Sequence, residues 1–310
     1  AKKIYEIGEI PEIGEIPEEM YAWVIREDRL GVPEKAMQIE KMPVQKPGKD
    51  EVLVMVMAVG INYNNVWASQ GVPISVIGED TGYHIGGSDA SGIVWAIGDN
   101  VKRWKVGDEV IVHCNRDDGD DEECNGGEPM YSKSQRIWGY ETNDGSFAQF
   151  TTVQSRQLLK KPEHLSWEES AVNALCASTS YRMLVGDNAA RMKQGDNVLI
   201  WGASGGLGGY ACQLVLNGGG TPIGVVSSAD KVELLHELGV EHVIDRSEEG
   251  YQFWSDEHTQ DESEWRRLGK KVRGFIGDDP DIVFEHPGRS TMGASVFVTK
   301  RGGKIVTCAA

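Results

Sequence analysis

The chain has little cysteine, a deficit of positive charge and no long apolar run. Its five cysteines, Cys114, Cys124, Cys176, Cys212 and Cys308, are few, scattered and odd in number. That usage excludes a disulfide framework and suits reduced thiols in a cytoplasm. Lys and Arg total 31 against 48 Asp and Glu, a formal net charge of −17. Phosphate backbones need a basic face, so this balance argues against general nucleic-acid binding. No stretch approaches the roughly 18 apolar residues of a membrane helix. Ala1-Lys2-Lys3-Ile4 has no signal-peptide pattern. What remains is an ordinary globular chain of 310 residues, 40% hydrophobic, long enough for two domains.

The most informative stretch runs from Asn197 to Leu216. Val198 to Trp201 is a short apolar run of strand type. Gly202-Ala203-Ser204-Gly205-Gly206-Leu207-Gly208 follows at once, and Tyr210 to Leu216 has the character of a buried helix. Strand, glycine turn and helix in this order form the phosphate corner of a dinucleotide fold. Glycines let the backbone approach a pyrophosphate, and unpaired N–H groups at the helix start face the anion. The expected contacts are Ala203, Ser204, Gly205, Gly206, Leu207 and Gly208. The next strand, Thr221 to Val226, ends in Ser227-Ser228-Ala229-Asp230-Lys231. An NAD enzyme usually has an acid at this strand end for the ribose hydroxyls. Here serines come first and a lysine follows, which suits a 2′-phosphate, so NADPH is the expected cofactor. Ser227 and Ser228 are also suited to capping the helix Ala229–Leu238.

The chain before this stretch is β-rich. Residues 6–17 repeat Glu-Ile-Gly-Glu-Ile-Pro twice and predict an extended arm or a loose tail. Strands are expected at Tyr21–Ile25 and Glu51–Gly60, with shorter β pieces in 84–98 and 105–112. Ser166-Trp167-Glu168-Glu169 is a capping box that opens a helical region. The acidic run 117–123 is expected as a solvated loop, and the basic segment 265–273 as a solvated helix face or a phosphate contact.

A β-rich domain followed by this glycine loop resembles the medium-chain dehydrogenase/reductase superfamily. The catalytic-zinc signature Gly-His-Glu-Gly-Ala-Gly-Ile-Val of that superfamily aligns with Gly87-Ser88-Asp89-Ala90-Ser91-Gly92-Ile93-Val94. The zinc-ligand histidine is Ser88 here, a poor ligand, and the structural-zinc cysteine cluster is missing. No metal is therefore expected, and the chain is similar to the zinc-free reductase branch. Ile61-Asn62-Tyr63-Asn64-Asn65-Val66-Trp67, the segment Arg136 to Phe147, Asp245-Arg246, Gly250 to Trp254 and Val283 to Arg289 are similar to the crotonyl-CoA carboxylase/reductase family.

That resemblance implies a GroES-like catalytic domain over 1–170, with the N-terminal arm, and a Rossmann-type doubly wound parallel sheet over 171–310. It implies NADPH-dependent reductive carboxylation of crotonyl-CoA with CO2 to ethylmalonyl-CoA. The family's CO2 pocket carries over onto Asn64, Tyr140, Glu141 and His286, with Tyr140 where a Phe is common. Arg246 joins the cofactor contacts. The family continues past Ala310, so an absent C-terminal part, or a segment from another chain, is expected, as is a homo-oligomer. A non-carboxylating enoyl-CoA or quinone reductase would share the glycine loop and the zinc loss without needing Asn64, Glu141 and His286 together. An NADPH-binding scaffold without turnover is the reading from a different class.

Overall fold

The computed structural model describes residues 2–78 and 80–308. It divides into two compact units, one up to Leu175 and one from Cys176. The division falls slightly beyond the sequence boundary at 170, inside the first turn of a helix that starts at Ala174.

The first unit contains, in order, β1 (Glu19–Ile25), α1 (Pro33–Ala36), β2 (Gln38–Pro43), β3 (Glu51–Val59), α2 (Tyr63–Gln70), β4 (His84–Ile85) and β5 (Ala90–Ile97). There follow β6 (Glu109–Val112), β7 (Asn115–Arg116), β8 (Arg136–Ile137), β9 (Phe150–Gln154), β10 (Leu158–Lys160) and α3 (Trp167–Ala171). Among the described residues the main sheet has five strands in the order β10-β6-β5-β3-β9. β3 sits inside it, antiparallel to β5 on one side and to β9 on the other. Its side chains alternate between two cores. Val52 and Val54 join Val94, Val110 and Trp138, whereas Leu53 and Met55 join Trp95 and Phe150. Both faces are covered, which is why β3 is apolar almost throughout rather than alternating.

The N-terminal arm has no helix or strand over 6–17. It lies on its own unit. Trp95 Nε1 donates to the Glu15 carbonyl at 2.8 Å, and Gln149 Nε2 to the Tyr5 carbonyl at 3.2 Å. The acidic run is a loop in which Asp121 accepts from Cys124 N and Ser132 Oγ.

The chain continues through α4 (Ala174–Val185), β11 (Asn197–Trp201), α5 (Gly206–Asn217), β12 (Thr221–Val226), α6 (Ala229–Glu237), β13 (His242–Asp245) and α7 (Arg246–Glu249). It closes with α8 (Glu262–Ile276), β14 (Ile282–Phe284), α9 (Met292–Val298) and β15 (Lys304–Val306). The five strands are parallel in the order β13-β12-β11-β14-β15. From β11 the chain moves outward to β13 and then returns to β14 on the other side. The strand order therefore reverses between β11 and β14, and ligands of such sheets bind at the carboxyl ends of the strands at that point. One core holds Val198, Ile200, Ala211 and Val215, and the other holds Leu199, Trp201, Leu268 and Val272. Four of the five cations of α8 pair with acids: Arg266 with Glu262, Arg267 with Glu264, Lys271 with Glu249 and Arg273 with Asp279. These ion pairs lie on a partly exposed face, in keeping with the solvated-face reading. Among the described residues no helix is long and apolar enough to cross a membrane.

Candidate active site

The glycine turn lies at the switch point of the parallel sheet. α5 begins at Gly206 with Gly205 as its N-cap, a turn before the Tyr210 expected from sequence. The first N–H groups of α5 have no carbonyl to bond within the helix and are oriented for an anion. Gly208 makes the corner possible. A Cβ there would overlap the Gly202 carbonyl oxygen and the Ala203 Cα, so only glycine lets α5 approach β11 this closely. Ala203 is buried beneath the turn, while Gly205 and Gly206 are exposed.

At the end of β12, Ser228 occupies the N-cap position of α6 but its side chain caps nothing. Ser227 Oγ instead accepts from Lys231 Nζ at 3.1 Å, and Ser247 Oγ donates to the Ser227 carbonyl at 2.7 Å. Arg246, the first residue of α7, is exposed. The nearby acid Asp245 is turned onto its own helix, accepting from Ser247 N and Glu248 N. A hydroxyl, an ammonium and an acid occupied elsewhere fit a phosphate at this strand end.

His286 follows β14, on the other side of the switch point. A Cβ on Gly202 would lie 2.7 Å from His286 Nε2, so the imidazole rests against the glycine turn. That nitrogen is buried and has no partner among the described residues. The residue before it is fully buried Glu285. Its Oε1 accepts from Gly288 N at 3.0 Å and from Thr291 Oγ1 at 2.7 Å. Its Oε2 accepts from Ser295 Oγ, which in turn accepts from Trp201 Nε1 at 2.9 Å. The loop carrying His286 is thereby tied to α9 and to the last residue of β11.

Asn64, Tyr140 and Glu141 belong to the first unit, and two of them converge on the segment 86–89. Asn64, in the first turn of α2, donates from Nδ2 to Ser88 Oγ at 2.9 Å. Its Oδ1 is buried without a partner among the described residues. Asp89, 1% exposed, accepts from Asn62 Nδ2 and from Leu175 N, each at 2.9 Å. Burial pushes its carboxyl up to about 7, because two neutral donors do not replace the lost water. The segment carrying Tyr140 is seated on the same stretch. Ser146 N donates to Gly87 O and Phe147 N to Gly86 O, both at 2.9 Å. Gly139 has φ +73°, and a Cβ on it would overlap Gly87 O.

Tyr140 is buried in a small cluster with Ile25 and Ala68. Its hydroxyl donates to the Val72 carbonyl at 3.4 Å, and burial together with the Glu141 charge holds its pKa above the usual value. Glu141 is exposed and folds back to accept from Ile137 N at 2.7 Å. Arg136 does not pair with it but donates to the Lys133 and Gln135 carbonyls. Buried His84, whose imidazole burial pushes down to about 4, is neutral at physiological pH. Ile61 and Tyr63 leave apolar surface beside Asn64, at 82% and 69% exposure.

The donor set at 88–89 does not fit zinc. Ser88 offers a hydroxyl already used by Asn64, and Asp89 is occupied by two N–H donors. Among the described residues no group of three or more His, Cys, Asp or Glu is placed to hold a metal. Ser88, Asp89 and Glu285 were not foreseen as working residues. Ser88 stood out in sequence only as a missing ligand, and Glu285 only as the neighbour of His286.

Two family models match. Residues 48–163 match the alcohol dehydrogenase GroES-like domain, and residues 206–310 match the zinc-binding dehydrogenase model. A crotonyl-CoA carboxylase/reductase of Cereibacter sphaeroides is 54% identical over 99% of this chain and 74% of its own. A solved crotonyl-CoA carboxylase/reductase superposes with a TM-score of 0.92 at 54% identity, over 100% of this chain and 74% of that one. A 2-octenoyl-CoA carboxylase reductase, solved in complex with NADP and 2-octenoyl-CoA, is 44% identical with a TM-score of 0.89, over 96% of this chain and 72% of that one.

Proposed function

Because the chain belongs to the crotonyl-CoA carboxylase/reductase family, we propose that it catalyses the NADPH-dependent reductive carboxylation of crotonyl-CoA with CO2 to ethylmalonyl-CoA. The observation that carries this reading is that one end of the buried Asn64 amide and the buried His286 Nε2 have no partner among the described residues, on residues aligned with the family's CO2 pocket, and an amide presents either its oxygen or its N–H groups at that end by a half-turn. Buried polar groups are normally satisfied, and those left open at a site are open to a ligand.

Bound NADPH supplies the hydride that adds to the β-carbon of the enoyl thioester. The nucleotide is held at the start of α5 by the backbone of 203–208, with Ser227, Ser228, Lys231 and Arg246 taking the 2′-phosphate. The enolate left on the substrate has two fates. Protonation gives butyryl-CoA and attack on CO2 gives ethylmalonyl-CoA. A preference of about 100:1 for the second needs a barrier difference of roughly 2.7 kcal/mol. Well-placed polar contacts and exclusion of water supply that much. The Asn64 amide donates to a CO2 oxygen as carboxylate charge grows, and His286 orients CO2 from its free nitrogen. Tyr140 walls the pocket with its ring. Glu141 holds the turn on which Tyr140 sits, through its bond to Ile137 N. The enzyme works in the cytoplasm as a homo-oligomer, a state inferred from the family alone.

The test is to mix the protein with NADPH and crotonyl-CoA, with and without bicarbonate plus carbonic anhydrase, and to identify products by mass. Ethylmalonyl-CoA only when CO2 is supplied is the expected result. Butyryl-CoA in both reactions would make the protein a plain enoyl-CoA reductase. Asn64→Leu should move product towards butyryl-CoA by about tenfold or more while NADPH oxidation persists; an equal fall of both products would refute its role. For the 2′-phosphate, Lys231→Ala should raise the KM for NADPH about tenfold and leave that for NADH nearly unchanged. Equal effects on the two cofactors would sink that assignment.

A further inference from the structure

Ser88 stands where metal-dependent relatives would keep a histidine ligand, and here its hydroxyl faces an amide. Asn64 Nδ2 is 2.9 Å from Ser88 Oγ, and Ser88 is fully buried. Asn64 Oδ1 is buried with no partner among the described residues. The two ends of an amide exchange places by a half-turn about the last side-chain bond, with almost no change of shape. A serine hydroxyl accepts in one arrangement and donates in the other. After the half-turn, Ser88 O–H donates to Oδ1, and both N–H groups of Asn64 occupy the side where the unpartnered oxygen lay.

The chain just before Asn64 is fixed to the same segment. Gly60 N donates to the Asp89 carbonyl at 3.4 Å, and Asn62 Nδ2 to the Asp89 carboxyl at 2.9 Å. These contacts hold the backbone before Asn64 against 88–89, where a half-turn of the amide exchanges the two ends that face Ser88. A carboxylate forming beside Asn64 is repelled by an amide oxygen and attracted by an amide N–H. The N–H-outward arrangement leaves no orphaned oxygen only if a donor stands behind it, and Ser88 is that donor.

We propose that Ser88 is a positioning residue for carboxylation: its hydroxyl turns the Asn64 amide so that its N–H groups face the carboxyl group being formed. The position of a lost metal ligand is reused to orient a neutral hydrogen-bond donor. This rests on the reading of Asn64 as the donor to CO2, and the experiment separates the two.

The full chain, with NADPH and crotonyl-CoA, is assayed at varied CO2 as the unsubstituted protein and as Asn64→Leu, Ser88→Ala and Ser88→Cys. Cysteine is close to serine in size but a weak hydrogen-bonding partner, so it repeats the test if alanine fails to fold. Both Ser88 variants should lower the ratio of ethylmalonyl-CoA to butyryl-CoA about tenfold and raise the apparent KM for CO2 to match, with the kcat of NADPH oxidation and the KM for NADPH within about twofold. If Asn64→Leu moves the product ratio and neither Ser88 variant does, the proposal is overturned. If the Ser88 variants slow every step alike with the ratio unchanged, Ser88 is merely structural and the proposal also falls. If Asn64→Leu leaves the ratio unchanged, the reading of Asn64 fails first and the proposal with it.

Discussion

Two buried acids, one in each unit, stand beside candidate site residues, and they are held in different ways. Asp89 lies next to Ser88 and receives two donors, Asn62 Nδ2 and Leu175 N. Glu285 lies next to His286 and receives three, from Gly288, Thr291 and Ser295. Glu285 gathers a loop, a helix and, through Ser295, the indole of Trp201. Asp89 fixes one asparagine and one backbone N–H, and burial brings its proton affinity close to neutrality. The difference teaches that burial alone does not define what an acid does. The number and kind of donors decide how many elements it ties together.

The largest expected effect falls on the knot. Glu285→Ala leaves an N–H and two hydroxyls inside the core without their acceptor. Several unsatisfied donors together cost about 4 kcal/mol. Urea unfolding measures it, and a loss below about 1 kcal/mol would erase the contrast with Asp89.

A somewhat smaller effect sharpens the proton side. The folded Asp89 carboxyl titrates at about 7, against 3.8 for an ordinary one. The folded state therefore binds this proton more tightly, so the contribution is fully present below about pH 4 and is lost as pH rises towards 7. His84 works in the opposite sense. Burial takes it from 6.5 to about 4, so the unfolded state takes up the proton first and stability is lost as pH falls through that window. The two slopes oppose each other over nearly the same range. Asp89→Asn removes one of them, and stability should then rise from pH 4.5 to 6.5 relative to the unsubstituted chain by of order 3 kcal/mol. Denaturation midpoints at the two pH values read this out; identical slopes in the two proteins would show that Asp89 does not hold its proton as described.

How much was legible depended on how local the cause was. The dinucleotide corner was readable because strand, turn and helix are contiguous from Asn197 onward. Its one displaced boundary is instructive. Glycines at 206, 208 and 209 lower helix propensity, yet α5 starts at Gly206 because close packing on β11 overrides propensity there. β2 was not foreseen. Gln38-Ile39-Glu40-Lys41-Met42-Pro43 has only one buried side chain and forms as the antiparallel partner of β1. Ser166 and Glu169 formed the capping box as expected, a pattern that spans one turn. Asn64 and His286 were identified by resemblance, but what faces them was not readable. The contact from Asn64 to Ser88 depends on how α2 sits against the chain before β5, and the burial of Glu285 depends on α9. Neither arises from neighbours in sequence.

The seat of the segment 139–147 has a practical consequence. Main-chain atoms make most of it: Gly139 against Gly87, and the N–H groups of Ser146 and Phe147 on the carbonyls of Gly87 and Gly86, with Ser146 Oγ added as a donor to the Asp89 carbonyl. The Tyr140 side chain takes no part in that seat, so position 140 is open to exchange, whereas Glu141 and Thr142 brace the turn by accepting from Ile137 N and Gly139 N. A library of aromatic and aliphatic residues at 140 would vary the wall of the pocket on an unchanged chassis, whereas one methyl group added at 139 would unseat the whole segment.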